Sequence, residues 1–220
     1  MKLVKLSNLL LIGLIVSLIS CSGAKKTEEV AETEEVAVVE ETPAGSLEDG
    51  TYTYSAEDSK IKWHASKMTG DHNGTVDLAS GSFTVEGGEV KGGSFDIDLN
   101  TIVSEDLAGK DEMKAKLEGH LKSADFFDVE TSPMATFEIS EVTADSVKGN
   151  LTIKNISNEI AFPATIAADS TGISTKASFK LDRTKWDMMF HSGLEQWGDK
   201  TIKDEFTVEF DLVATKDAVQ

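Results

Sequence analysis

The chain has 220 residues, a single cysteine and a formal net charge of −18. That length allows one ordinary domain plus additional segments, and the charge repels nucleic acid, with no basic stripe to offset it. One thiol, Cys21, excludes an intrachain disulfide, so the fold must rest on apolar burial.

Residues 1–20, MKLVKLSNLLLIGLIVSLIS, read as a signal peptide. Lys2 and Lys5 make a positive start. The apolar run from Leu9 to Ile19 is short of the roughly 20 residues that a membrane span needs. Leu18-Ile19-Ser20-Cys21 follows the lipobox pattern, in which the signal is cut before the cysteine and the cysteine is acylated. Cys21 is therefore the expected lipid attachment site. An apolar run followed by a chance cysteine is the bland alternative. Residues 21–50 hold nine acidic residues, two lysines and no aromatic. Such a segment cannot bury enough apolar area to offset its ordering entropy, and it reads as an acidic, extended tether.

Residues 51–220 carry the remaining −13 and alternate strongly. In chain order, Ile61, Trp63 and Ala65 share one strand face, then Phe83 and Val85, then Phe95, Ile97 and Leu99. Residues 106–123 break the pattern: Met113, Leu117 and Leu121 fall four apart, as on a helix. Glu112–Lys116 and Glu118–Lys122 stand in the favourable i,i+4 order. Phe126 and Phe127 follow, side by side between Asp125 and Asp128. Alternation then resumes with Phe137 and Ile139; Val147 to Ile153 through Leu151; Ile160, Phe162, Ala164 and Ile166; Ile173 to Leu181 through Phe179; and Phe206, Val208, Phe210 and Leu212. Period-two alternation over so many segments means antiparallel strands with one wet and one dry face. The fold class is all-β, with about eight strands and one inserted helix. A closed barrel and a sandwich fit the alternation equally.

Catalytic signatures are missing. There is no G-x-S-x-G, no H-E-x-x-H and no G-x-G-x-x-G. His64, His72, His120 and His191 are scattered without ligand-like spacing, so neither a metal site nor a cofactor is expected, and the chain is not expected to be an enzyme. Arg183 is the sole arginine. It reads either as a donor to a ligand head group or as half of a structural ion pair with an acid such as Asp182. Trp186, before the loop HSGLEQWGDK, and Trp197, within it, suggest an entrance.

YTYSAEDSKIKWHASKM, GTVDLASGSFTVEGGEVKGGSFDIDLNTI, GHLKSADFFDVETSPMATFEISEV, VKGNLTIKNISNEIAFPATI, SFKLDRTKW and IKDEFTVEFDL, in that order and spacing, resemble the YceI-like family. The resemblance covers residues 51–215. It implies a lipocalin-like antiparallel β-barrel with a helix between strands, enclosing a long apolar lipid, typically a polyisoprenoid. On that resemblance the expected pore lining is Trp63, Phe83, Phe95, Ile97, Phe126, Phe127, Phe137, Ile139, Leu151, Ile153, Phe162, Ile166, Phe179, Phe206 and Phe210. Arg183, Trp186 and Trp197 are expected at the head group or mouth. Two positions depart from the family pattern. Asn155 stands where many members have a turn glycine, and Thr184 to Phe190 lack the aromatic-glycine pair. Asn tolerates left-handed backbone, so the turn can survive.

The expected function is therefore an envelope lipoprotein carrying or sequestering a long-chain apolar lipid. Its expected place is the bacterial cell envelope, lipid-anchored at the outer membrane and facing the periplasm or the cell surface. The lipid and, through Cys21, the membrane are its partners, with homodimerisation left open. The rivals are a ligand-free structural or interaction lipoprotein with a packed core, and a metal protein or enzyme using the histidines.

Overall fold

The computed structural model describes residues 47–168 and 172–218. The signal segment, Cys21 and most of the tether lie outside the described residues.

The strands are β1 (Gly50–Tyr54), β2 (Lys60–Lys67), β3 (Gly70–Glu86), β4 (Glu89–Ser104), β5 (Met134–Val142), β6 (Ser146–Ile153), β7 (Ile156–Ala168), β8 (Ile173–Asp182) and β9 (Glu205–Lys216). Every pairing is antiparallel, and the sheet closes because β3 pairs with both β2 and β4. Closure makes the architecture a barrel, not a sandwich. It has eight positions around its wall, since β1 and β2 share one position end to end. Thr53 faces Ser82 and Thr215, whereas Ile61 faces Val76 and Phe210. The break between them is a turn in which Ser55 Oγ donates to Asp58 Oδ2 at 2.7 Å. The folded body begins slightly before residue 51: Leu47 packs on the core and Lys216 Nζ reaches Glu48 at 2.8 Å.

The long strands β3 and β4 shift register at three places, between Thr75 and Asp77, Leu78 and Ser80, and Thr84 and Val85. Such bulges add local twist, which a small barrel needs in order to close. Gly149 lets the interior fill: a Cβ there would lie 2.2 Å from Glu138 O and 2.6 Å from the Phe137 ring tip. The β6–β7 hairpin turns through Lys154 and Asn155 at φ 50° and 60°, so Asn155 does occupy left-handed backbone.

One end of the barrel carries the long connections. Helix α1 (Asp111–Lys122) buries no residue fully; Leu117 and Leu121 rest on the core, while Met113 stays 57% exposed. The expected Glu112–Lys116 and Glu118–Lys122 pairs are not the ones that hold it. Glu118 accepts from Lys114 and, at 2.8 Å, from the Ser104 backbone N–H, and Lys114 also donates to Ser104 O at 2.9 Å. The i,i+4 pair that forms thus runs in the reverse order, from Lys114 to Glu118, because both side chains also dock onto Ser104 at the end of β4.

Candidate functional site

Two apolar cavities lie along the barrel interior. The larger, about 90 Å³, is at the α1-covered end, and its exposed lining is wholly apolar. Ile61, Trp63, Phe127, Leu151 and Phe206 border it. The smaller, about 30 Å³, lies toward the opposite end among Leu47, Tyr54, Phe83, Ile139, Ile166 and Leu212. Phe95, Phe162 and Phe210 border both, so these rings divide the interior. They belong to a belt across its middle. Phe95 lies 5.2 Å from Phe137 and 6.5 Å from Phe210. Phe162 stacks on Phe179 at 4.2 Å and meets Phe137 at 5.6 Å and Phe210 at 5.7 Å. Edge and offset contacts of this kind exceed simple area burial by about 0.5–1.5 kcal/mol per pair.

Of the fifteen residues expected to line a pore, all but Phe126 border one cavity or the other. The loop after α1 splits the two neighbouring phenylalanines. Phe127 borders the larger cavity. Phe126 is buried outside it, 5.0 Å from the His120 ring and 5.8 Å from Phe190, with the Arg183 guanidinium 6.0 Å away over its face. No alternation operates in a loop: its turns bond the Phe126 N–H to Ser123 O and the Phe127 N–H to Leu121 O. Asp125 stays exposed and pairs with His120 at 3.0 Å.

The three residues expected at a mouth are placed otherwise. Arg183 is 3% exposed, and its donors go to Met188 O, to Lys203 O at 3.2 Å, to Ile202 O at 3.0 Å and to Asp204 Oδ1 at 3.1 Å. It is a structural clamp on the segment between β8 and β9, and the ion-pair partner is Asp204, not Asp182. Asp182 instead caps the short turn Arg183–Trp186, accepting from the Thr184 N–H. Burial lowers the Arg183 guanidinium from its usual value, and Asp204 and Asp182 work against that. Trp186 is no rim residue: it is 0% exposed and donates through Nε1 to Leu151 O at 3.1 Å. Trp197, in the short helix α2 (Leu194–Trp197), is 37% exposed, packs on His191 at 4.3 Å and borders neither cavity.

Sequence reasoning missed Tyr54 and Thr175, the polar side chains at the smaller cavity. Burial pushes the Tyr54 phenol up to about 12, while its hydrogen bond with Thr175 pulls the other way. Tyr52 and Tyr54 in TYTY do alternate, which was the available signal. Histidines are spread over separate aspartates: His64 with Asp71, His72 with Asp106 and His120 with Asp125. Among the described residues no group of three ligating side chains gathers.

A model of the YceI-like domain matches residues 52–214. The chain belongs to the YceI-like family. A UPF0312 protein of Staphylococcus aureus is 32% identical over 124 residues, which are 51% of this chain and 70% of that relative. BcnA of Burkholderia cenocepacia superposes with a TM-score of 0.58 at 22% identity, over 74% of this chain and 99% of BcnA. A polyisoprenoid binding domain from Saccharophagus degradans, implicated in plant cell wall breakdown, gives a TM-score of 0.56 at 16% identity, over 76% of this chain and 98% of that domain. At such identities the two structures speak for the fold, the closed antiparallel barrel that the YceI-like assignment implies.

Proposed function

We propose that this YceI-like chain is a membrane-tethered envelope lipoprotein that binds a long-chain apolar lipid, a polyisoprenoid or similar, in its barrel, as a non-catalytic carrier or sequestering protein. One observation carries the reading: two apolar cavities share one interior, and the residues that border both, Phe95, Phe162 and Phe210, are all phenylalanines. An apolar cavity of about 150 Å³ holds a single benzene ring. Neither cavity here reaches that size, so a long chain enters only if the belt rings change rotamer and join the two. The gain is adequate. Burying roughly 300 Å² of lipid at about 25 cal/mol per Å² yields about 7 kcal/mol before ordering costs. No charged group is required. The tether and anchor rest on the sequence around Cys21.

The rival is a barrel filled by its own side chains, favoured by the tight stacking of Phe162 on Phe179. One experiment separates them. A chain beginning at Ser22, which retains every strand, is purified from a bacterial host and extracted with organic solvent for mass spectrometry, alongside native mass spectrometry of the intact protein. A stoichiometric long-chain lipid is expected. A clean apo mass that persists after incubation with polyprenyl lipids leaves the packed barrel. Anchoring is tested separately: labelled palmitate is expected on the full chain and not on Cys21→Ser.

A further inference from the structure

Among the described residues, two buried side-chain polar atoms lack a hydrogen-bond partner: Trp63 Nε1 and Thr201 Oγ1. A buried donor without an acceptor has given up its bond to water for nothing, and native interiors hold few of them. Thr201 follows the turn Gly198–Lys200 and borders neither cavity. Trp63 is different. It points inward from β2 beside Ile61, is 8% exposed and borders the larger cavity. Its register partners are Gly74 and Val208, neither of which has a side-chain acceptor. The contrast with Trp186 is informative, since that indole, more deeply buried, is satisfied by Leu151 O.

A trapped water is a poor answer for Trp63. Such a water needs about two to four polar neighbours, and the lining of the empty larger cavity exposes no polar atom, Trp63 Nε1 included. An oxygen delivered on an apolar chain has no such shortfall, because the rest of the molecule is satisfied by burial. Loading must shift the lining side chains, since the cavity is only about 90 Å³, and the Trp63 N–H, covered in the empty barrel, meets the cargo only once they move.

We propose that Trp63 Nε1 is the recognition point for an acceptor oxygen, a hydroxyl, carbonyl or ether, at one end of the lipid cargo. The oxygen-bearing end then lies under the α1-covered end of the barrel, and the hydrocarbon runs through the phenylalanine belt toward Leu212. The inference rests on the lipid-binding reading and narrows it, from apolar chains in general to chains with an oxygenated terminus. The smaller cavity competes for that oxygen only through Tyr54 and Thr175, which already bond each other.

The test uses two cargoes of one carbon skeleton: a long-chain all-trans polyprenol and the hydrocarbon lacking its hydroxyl. They compete for the Ser22-start chain in native mass spectrometry, and the indole N–H resonances are followed by NMR in the wild type. The polyprenol is expected to win by about tenfold. One indole resonance, missing in Trp63→Phe, should move downfield with the alcohol and not with the hydrocarbon. In Trp63→Phe the competition ratio should fall to about one; being a ratio, it cancels any packing loss common to both cargoes. A wild-type ratio of one with both cargoes bound overturns the Trp63 assignment and leaves lipid binding standing. So does a ratio that survives Trp63→Phe and collapses in Tyr54→Phe. If neither cargo binds, both readings fall.

Discussion

The two ends of this barrel are built from the same strands and finished in opposite ways. At one end the connections are short: β3 turns into β4 through Gly87 and Gly88, at φ 64° and 79°. At the other lie α1, the loop carrying Phe126 and Phe127, and the segment 183–204 clamped by Arg183. This second end has the larger cavity, the unpaired Trp63 donor and, among the described residues, all six exposed large apolar side chains: Met68, Met113, Ile156, Met189, Leu194 and Trp197. The walls are thus generic and the asymmetry lives in the connections. Whatever distinguishes one YceI-like cargo from another is to be sought in what covers an end more than in the alternation of the wall.

The largest expected effect removes the boundary between the two ends. Phe162 borders both cavities and touches Phe137, Phe179 and Phe210. Phe162→Ala should merge the cavities at a cost of about 3–5 kcal/mol in the empty protein, read as a lower urea midpoint. If the interior is a cargo site, added polyprenyl lipid restores more stability to this variant than to the wild type. An equal shift in both would mean that the belt does not gate the interior.

A somewhat smaller and strictly one-sided loss is expected at Arg183. Arg183→Met leaves three backbone carbonyls and Asp204 without their donor. Asp204, 41% exposed, can turn to water, but leaving buried carbonyls without a donor typically costs about 1–3 kcal/mol. Hydrogen exchange should show amides of residues 183–204 opening first, with the β3–β4 turn unchanged. Uniform loss of protection at both ends would contradict the clamp.

How far the sequence revealed this contrast depends on the region. In β6 to β9 inward and outward residues alternate without interruption, so the lining from Leu151 to Phe210 was legible. In β3 the buried residues run Val76, Leu78, then Phe83 and Val85, a change of phase that the bulges cause. Alternation read across a bulge gives two short strands instead of one of 17 residues. Closure was not legible, because it depends on β3 meeting β4 along their full lengths, and a sandwich would show the same period. The end-covering residues were least legible. Arg183 and Trp186 follow a strand and look like rim residues, but the segment folds back and buries both. Tertiary docking, which leaves no periodic mark, decided their roles.

The smallest expected effect compares how charge is held at the two ends. At the α1-covered end, burial would raise the Asp106 carboxyl, but hydrogen bonds from His72, the Asn73 N–H and Ser104 outweigh it and hold the group at about 2, below its ordinary 3.8. At the opposite end Glu48 and Glu89 are also lowered, by Lys216 and Lys91, but in pairs whose carboxylates face solvent. A depressed carboxylate stabilises the fold above its unfolded pKa and stops doing so as pH falls through the folded value. The Asp106 contribution is therefore complete above about pH 4 and lost between about pH 4 and 2. Asp106→Asn should lower the melting temperature slightly at pH 5, and the two proteins should converge near pH 2. Exposed pairs are screened by salt and the hydrogen-bonded cluster is screened much less. The difference at pH 5 should accordingly persist in about 0.5 M NaCl, whereas any effect of Lys216→Ala should vanish there. Loss of both in salt would mean that the two ends hold their charges by the same weak, screened attraction, and that the hydrogen bonds around Asp106 add nothing of their own.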